Sequence, residues 1–133
     1  MKESARRPGR IVGKYPVLDD FGLARYSTGL YNGEGHAYGK TRTGGNPSAT
    51  IAVTRCDQDA LLPVGEWWGL PVRKRGGRGK SCSDGEAYRI ETSGLRAGLL
   101  VEAMTRNGLS ARKRLQWEKV LIQSQRAKLA APR

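Results

Sequence analysis

One histidine, His36, stands alone in the chain, and the only cysteines are Cys56 and Cys82. A structural zinc site needs four nitrogen or sulfur ligands, usually in closely spaced pairs, and this sequence has no such set. The two cysteines make no disulfide framework either, so thiols kept in a reducing compartment are the expectation. No apolar run approaches the ~18–20 residues of a membrane span, and no membrane partner is expected. The amino terminus is basic, but no apolar segment of the signal-peptide kind follows it. These absences predict a soluble intracellular protein of the cytoplasm, nucleoid or an organellar matrix, and not a secreted one.

Acid is also scarce. The 133 residues hold 24 Lys and Arg against 12 Asp and Glu, a formal net charge of +12. A chain of this length makes one domain with a real but modest core. Such an excess of cations calls for an anionic partner, most commonly nucleic acid.

Residues 1–17 carry Arg6, Arg7, Arg10 and Lys14 with Pro8 and Pro16 and no periodicity, as in a flexible basic arm. The domain proper is read as 18–126, and 127–133 as a carboxy-terminal tail. Asp19 and Asp20 supply a cap and first-turn charge for a helix to about Asn32, which Gly33 and Gly35 end. Alternation at period two predicts strands near 36–42 and 49–55. A helix from Asp57 follows, with Leu61, Leu62, Val64, Trp67 and Trp68 as its apolar positions. Pro63 within it predicts a break or a shifted start. A second hairpin is placed near 71–75 and 86–92, then a helix over 93–106 bearing Leu95, Leu99, Leu100 and Ala103. Gly108 stops that helix, and Ser110 caps a last one with Leu115, Trp117, Val120, Leu121 and Ile122. The order is α-β-β-α-β-β-α-α, in which two hairpin-plus-helix units form a rough pseudo-repeat.

Three groups of residues carry chemistry. Gly29 and Gly33 lie four apart on one helix face beside the small Thr28, which lets a second helix backbone approach. Termination of the helix is the other reading of Gly33. Glu34 stands between two glycines at the helix end, open to a metal ion and a phosphate. Phosphodiester hydrolysis uses hard oxygen ligands for Mg²⁺, and one carboxylate is a weak site that a second copy would strengthen. A solvated glutamate is the plainer reading from the residues alone. In the strands, Tyr38, Lys40 and Arg42 share parity with His36, and Arg73 with Arg75 repeats the pattern that Arg89 and Glu91 extend. A curved sheet carrying such a stripe suits a DNA major groove, with Ser48, Thr50 and Arg112 as further DNA contacts and Lys74 and Lys113 toward the backbone. His36 has no partner for a His-metal nuclease.

Residues 26–35, Tyr-Ser-Thr-Gly-Leu-Tyr-Asn-Gly-Glu-Gly, resemble the signature helix of the LAGLIDADG homing endonucleases. The resemblance continues through residues 51–57, 67–69, 72–75, 87–90 and 109–114, and covers about residues 20–125. It implies an α+β domain of order αββαββα with a saddle-shaped antiparallel sheet on double-stranded DNA, and an extra carboxy-terminal helix. One signature per chain implies a homodimer packed through Thr28, Gly29, Asn32 and Gly33. Glu34, with Gly33 beside it, matches the metal position, where Mg²⁺ acts and Mn²⁺ is a plausible substitute. Arg55 falls near the attacking water, and Lys113, or else Arg112, near a supporting lysine. The implied activity is a site-specific endonuclease that leaves short 3′ overhangs. Tyr26-Ser27-Thr28, Asn32 and Arg55 depart from the usual pattern. The same scaffold without cleavage would serve as an intron maturase, binding RNA, or as a regulator. A structural basic protein of the ribosome-associated kind is the remaining reading.

Overall fold

The computed structural model describes residues 21–41, 47–75 and 87–130. The basic arm, Asp19, Asp20, Arg42, Cys82 and the ends of both hairpins fall outside them. The elements are α1 (Phe21–Glu34), β1 (Gly35–Lys40), β2 (Ser48–Arg55), α2 (Gln58–Trp68), β3 (Arg73–Arg75), β4 (Ala87–Ser93), α3 (Gly94–Thr105) and α4 (Ala111–Ala130). This is the α+β order expected from the sequence. The four strands form one antiparallel sheet in the order β1-β2-β4-β3.

Period-two alternation assigns the strand residues to two faces, although Thr50 and Ala52 in the central strand β2 are buried on the second of them. Ala37, Ala49, Ile51, Val53 and Ile90 share one face and are buried against the helices. Beneath them lie Tyr31, Leu61, Trp67, Trp68, Leu100 and Met104, all essentially inaccessible. The other face carries His36, Tyr38, Lys40, Arg89, Glu91, Arg73 and Arg75 in register.

Edge strand β1 would expose an unpaired row of backbone groups. Helix α4 lies along it: Lys113 Nζ donates to the Gly35 carbonyl and Ala37 N donates to Gln116 Oε1 at 3.2 Å, while Ser124 Oγ donates to the carbonyl of Pro47, just before β2, at 2.9 Å. The helix therefore lies beside the open face without covering it.

Several boundaries differ from the sequence reading. Helix α1 runs through Gly33 and Glu34 and passes straight into β1, so Gly33 does not terminate it. Pro63 leaves α2 unbroken. A proline there costs about 3 kcal/mol, whereas each fully buried large side chain returns ~1.5–3 kcal/mol, and α2 buries Leu61, Val64, Trp67 and Trp68. Asp57 caps α2 by accepting from Asp59 N at 3.0 Å, and Gly69 closes it at φ 72°, where only glycine is unstrained. Helix α3 turns Ala97, Leu100, Val101, Ala103 and Met104 inward, leaving Leu95 and Leu99 exposed. Helix α4 continues to Ala130, beyond the expected tail boundary, and of its expected apolar residues Leu115 and Ile122 are exposed. Cys56 is disulfide-bonded, which corrects the expectation of unpaired thiols and withdraws that argument for a reducing compartment. No helix among the described residues is long and apolar enough to cross a membrane.

At the α1–β1 junction Gly35 is needed for space. A Cβ built on it would lie 2.1 Å from the Tyr31 ring. Gly35→Ala is expected to destabilise the fold by about 1–3 kcal/mol through overpacking, measured by urea unfolding.

Candidate nucleic-acid interface and acidic corner

Glu34 is the last residue of α1, where unpaired helix carbonyls already concentrate partial negative charge. A carboxylate is unfavourable at that end unless cations answer it. Arg55, the last residue of β2, donates from Nη1 to Glu34 Oε2 at 2.8 Å. Lys113 reaches the same corner from α4, donating to the Gly35 carbonyl and standing 6.0 Å from the Tyr31 ring centroid. The structure thus gathers Glu34, Arg55 and Lys113, three residues far apart in sequence.

The first turn of α4 repeats the electrostatic conflict with opposite sign. Arg112, Lys113 and Arg114 crowd a positive helix end with no acid in that turn. Partial burial, and then the charge of Arg112, lower the Lys113 pKa. Arg114 is answered by Glu118 at 3.0 Å and Glu102 at 3.3 Å. Ser110 caps the helix, its Oγ accepting from Lys113 N at 3.2 Å.

Asn32 fixes this turn. Its Nδ2 donates to the Gly108 carbonyl at 3.0 Å, and its Oδ1 accepts from Ser110 N at 2.8 Å. Asn32, expected at a subunit interface, commits its amide within the chain and seats the helix that delivers Lys113. Thr28, expected at the same interface, is fully buried within the chain and offers no surface to a second copy. It lies one residue out of phase with Gly29 and Gly33, which are exposed and have open space where a Cβ would stand. Tyr26, on the same exposed side of α1, anchors it to α2 through a 2.7 Å bond to the Ala60 carbonyl.

The open sheet face is organised around an acid, Glu91. Its carboxylate accepts from Arg89 Nε at 2.7 Å, Tyr38 Oη at 3.1 Å and Lys40 Nζ. Arg89 also donates to Tyr38 Oη at 2.6 Å and Thr54 Oγ1 at 3.2 Å. Burial alone would raise the Glu91 pKa, but hydrogen bonds from Lys40 and Arg89 and their charges outweigh it and hold it at about 2. Burial opposes the Arg89 charge, yet its bonds to Glu91 and Tyr38 leave its pKa raised. His36 stacks on Tyr38 with ring centroids 5.3 Å apart. Burial, then the charges of Arg89, Lys113 and Arg75, lower its pKa, so it presents a neutral ring at neutral pH.

Not every expected contact residue is free to act. Thr50 is fully buried, its hydroxyl shared with the Ser48 carbonyl at 3.0 Å and Ser93 Oγ at 2.7 Å, which removes it from the accessible surface. Half-buried Ser48 shares parity with Lys40. Register puts Lys74 on the face opposite Arg73 and Arg75, at the sheet edge. Arg73 and Arg75 are exposed with no ion-pair partner among the described residues. They line a groove of about 620 Å³ with Lys40, Arg89 and Glu91. Sequence reasoning took Lys40, Tyr38 and Arg89 as free grips and missed that one acid ties them together. The shared parity of Thr54, Arg89 and Glu91 was the available signal.

Glu91 has a folded pKa below the 4.5 of an ordinary glutamate. Its bonds therefore stabilise the fold fully above pH 4.5, and that contribution is lost as pH falls toward 2. Urea midpoints should drop across that window in the parent, and Glu91→Gln should flatten the drop.

No family model matches the sequence, and no curated protein matches it. Among solved structures, the chain is similar to the LAGLIDADG meganuclease I-AabMI, crystallised bound to uncleaved DNA, with a TM-score of 0.55 and 14% identity. The match covers 80% of this chain and 37% of that one, so the chain spans little more than a third of the meganuclease's length. At this identity the likeness concerns the fold. The four helices and four-stranded antiparallel sheet have the LAGLIDADG homing-endonuclease fold.

Proposed function

We propose that the protein is a site-specific, Mg²⁺-dependent endonuclease of double-stranded DNA that works as a homodimer. The carrying observation is the corner where Glu34, Arg55 and Lys113 meet beside a cationic sheet face. The fold similarity to a DNA-bound meganuclease supports a DNA ligand. Arg73 and Arg75 would grip or read DNA, while the Glu91 cluster holds Lys40, Tyr38 and Arg89 in fixed positions.

The corner fits a hard cation in kind. Glu34 and the end carbonyls of α1, including that of Gly33, are oxygen donors at a negative helix terminus. Among the described residues no group of three or more His, Cys, Asp or Glu gathers, so Glu34 has no ready-made ligand cluster around it in one copy. Pairing two copies along the open Gly29 and Gly33 face would bring a second carboxylate. When bound, Mg²⁺ would activate water and neutralise charge on the phosphate; Mn²⁺ would substitute. Lys113 and Arg55 would hold the phosphate, and Arg55 must first release Glu34. That pair is partly exposed on both sides, and such pairs contribute only ~0–1 kcal/mol, so release is easy.

The Glu34–Arg55 pair also gives a second reading its support: a DNA- or intron-RNA-binding protein in which Arg55 has replaced the metal. Incubation of a randomised-site DNA library with Mg²⁺ or EDTA separates the two. The endonuclease reading expects paired breaks of fixed stagger with Mg²⁺ alone. It also expects Glu34→Gln to abolish cleavage while retaining site affinity; cutting at the parental rate by that variant contradicts the mechanism. Arg73→Ala or Arg75→Ala should weaken DNA binding, and loss of one phosphate contact should reduce the salt slope by about 0.9.

A further inference from the structure

Helix α4 has a second face, directly opposite the one that packs on the sheet. Leu115, Lys119, Ile122, Arg126 and Leu129 recur at alternating steps of four and three, which places them on one stripe. All five are exposed, and the aliphatic members are 53%, 48% and 87% accessible. Single exposed aliphatics are ordinary on protein surfaces. Three in line on the solvent side of one helix, interleaved with two cations, are not.

The stripe has the spacing of a helix-pairing seam, with apolar residues a heptad apart and a cation between each pair. Lys119 and Arg126 have no ion pair among the described residues, and the helix's one acid, Glu118, is bonded to Arg114. Arg112 starts the same stripe but lies at the corner beside Lys113, so the free surface begins at Leu115.

The chemistry of the stripe selects its occupant. A nucleic-acid backbone would answer the cations but leave an aliphatic side chain against phosphates every seven residues, about 10 Å along the helix. A membrane surface needs a broad apolar face, and here the cations share the aliphatic line while Glu118 and Gln123 flank it. A second copy would bring two more unanswered cations, Lys119 and Arg126 again, into one seam in a chain of net charge +12. We propose that α4 docks an acidic amphipathic helix of another protein, one that sets carboxylates opposite Lys119 and Arg126 and aliphatic residues against Leu115, Ile122 and Leu129.

The test uses the full chain and a fluorescein-labelled synthetic helix of 21 residues, with Leu and Glu alternating along its apolar seam. A control peptide has Lys at each Glu position, and further arms contain an RNA duplex and anionic vesicles. Anisotropy should report binding of the acidic peptide at least about tenfold tighter than the control. Lys119→Glu and Ile122→Gln should each weaken it about tenfold, whereas Arg73→Ala should not. These α4 positions are exposed, so circular dichroism should remain unchanged. Equal binding of both peptides, or insensitivity to the α4 substitutions, overturns the proposal. So does RNA or vesicle binding that depends on Lys119, or self-association that Ile122→Gln abolishes.

Discussion

Helix α1 enters strand β1 without an intervening residue, and this junction sets the position of everything around it. The Tyr31 ring occupies the space above Gly35, which fixes the angle at which helix meets sheet. Glu34 therefore stands at a rigid corner and not on a loop. Asn32 ties the same corner to the α3–α4 turn, and Lys113 ties α4 to the Gly35 carbonyl. The corner holds charges that its helices disfavour: an acid at a carbonyl end, and three cations at an amide end. Locally unfavourable choices gathered in one place are characteristic of a working site.

The sheet separates structural cations from available ones. Lys40 and Arg89 are bound to Glu91, so the middle of the open face is a rigid polar platform. Arg73 and Arg75 stand at the edge without such ties among the described residues. With α4 lying along the β1 edge and the core filling the opposite face, the platform is the broad surface left for a ligand. The cationic-aliphatic stripe of α4 points away from the sheet core and adds a second surface with different chemistry.

Much of this arrangement was legible in the sequence. Period-two parity placed His36, Tyr38, Lys40, Arg73, Arg75 and Arg89 on one face because strand geometry leaves no other choice. The signature-like segment pointed to Glu34, and the resemblance of later segments to the same family pointed to Arg55 and Lys113. The missed details were tertiary. Asn32 meets partners 76 and 78 residues away, and no local pattern announces that. Thr28 and Thr50 are small and polar, as surface residues often are, but neighbouring elements cover them. Pro63 was misjudged because helix propensity is local while the burial of Trp67 and Trp68 is global. In α3 and α4 apolar residues nearly encircle the helix, so periodicity alone did not select the buried face.

The central claim is that each copy supplies one carboxylate, Glu34, to a site that acts only in pairs. Dimers mixed from parent and Glu34→Gln chains, purified through two affinity tags and given target-bearing supercoiled plasmid with Mg²⁺, test it directly. The account predicts that mixed dimers lose paired cleavage and yield at most a single-strand nick, while parent dimers make paired breaks. Paired breaks by the mixed species at the parental rate would contradict it.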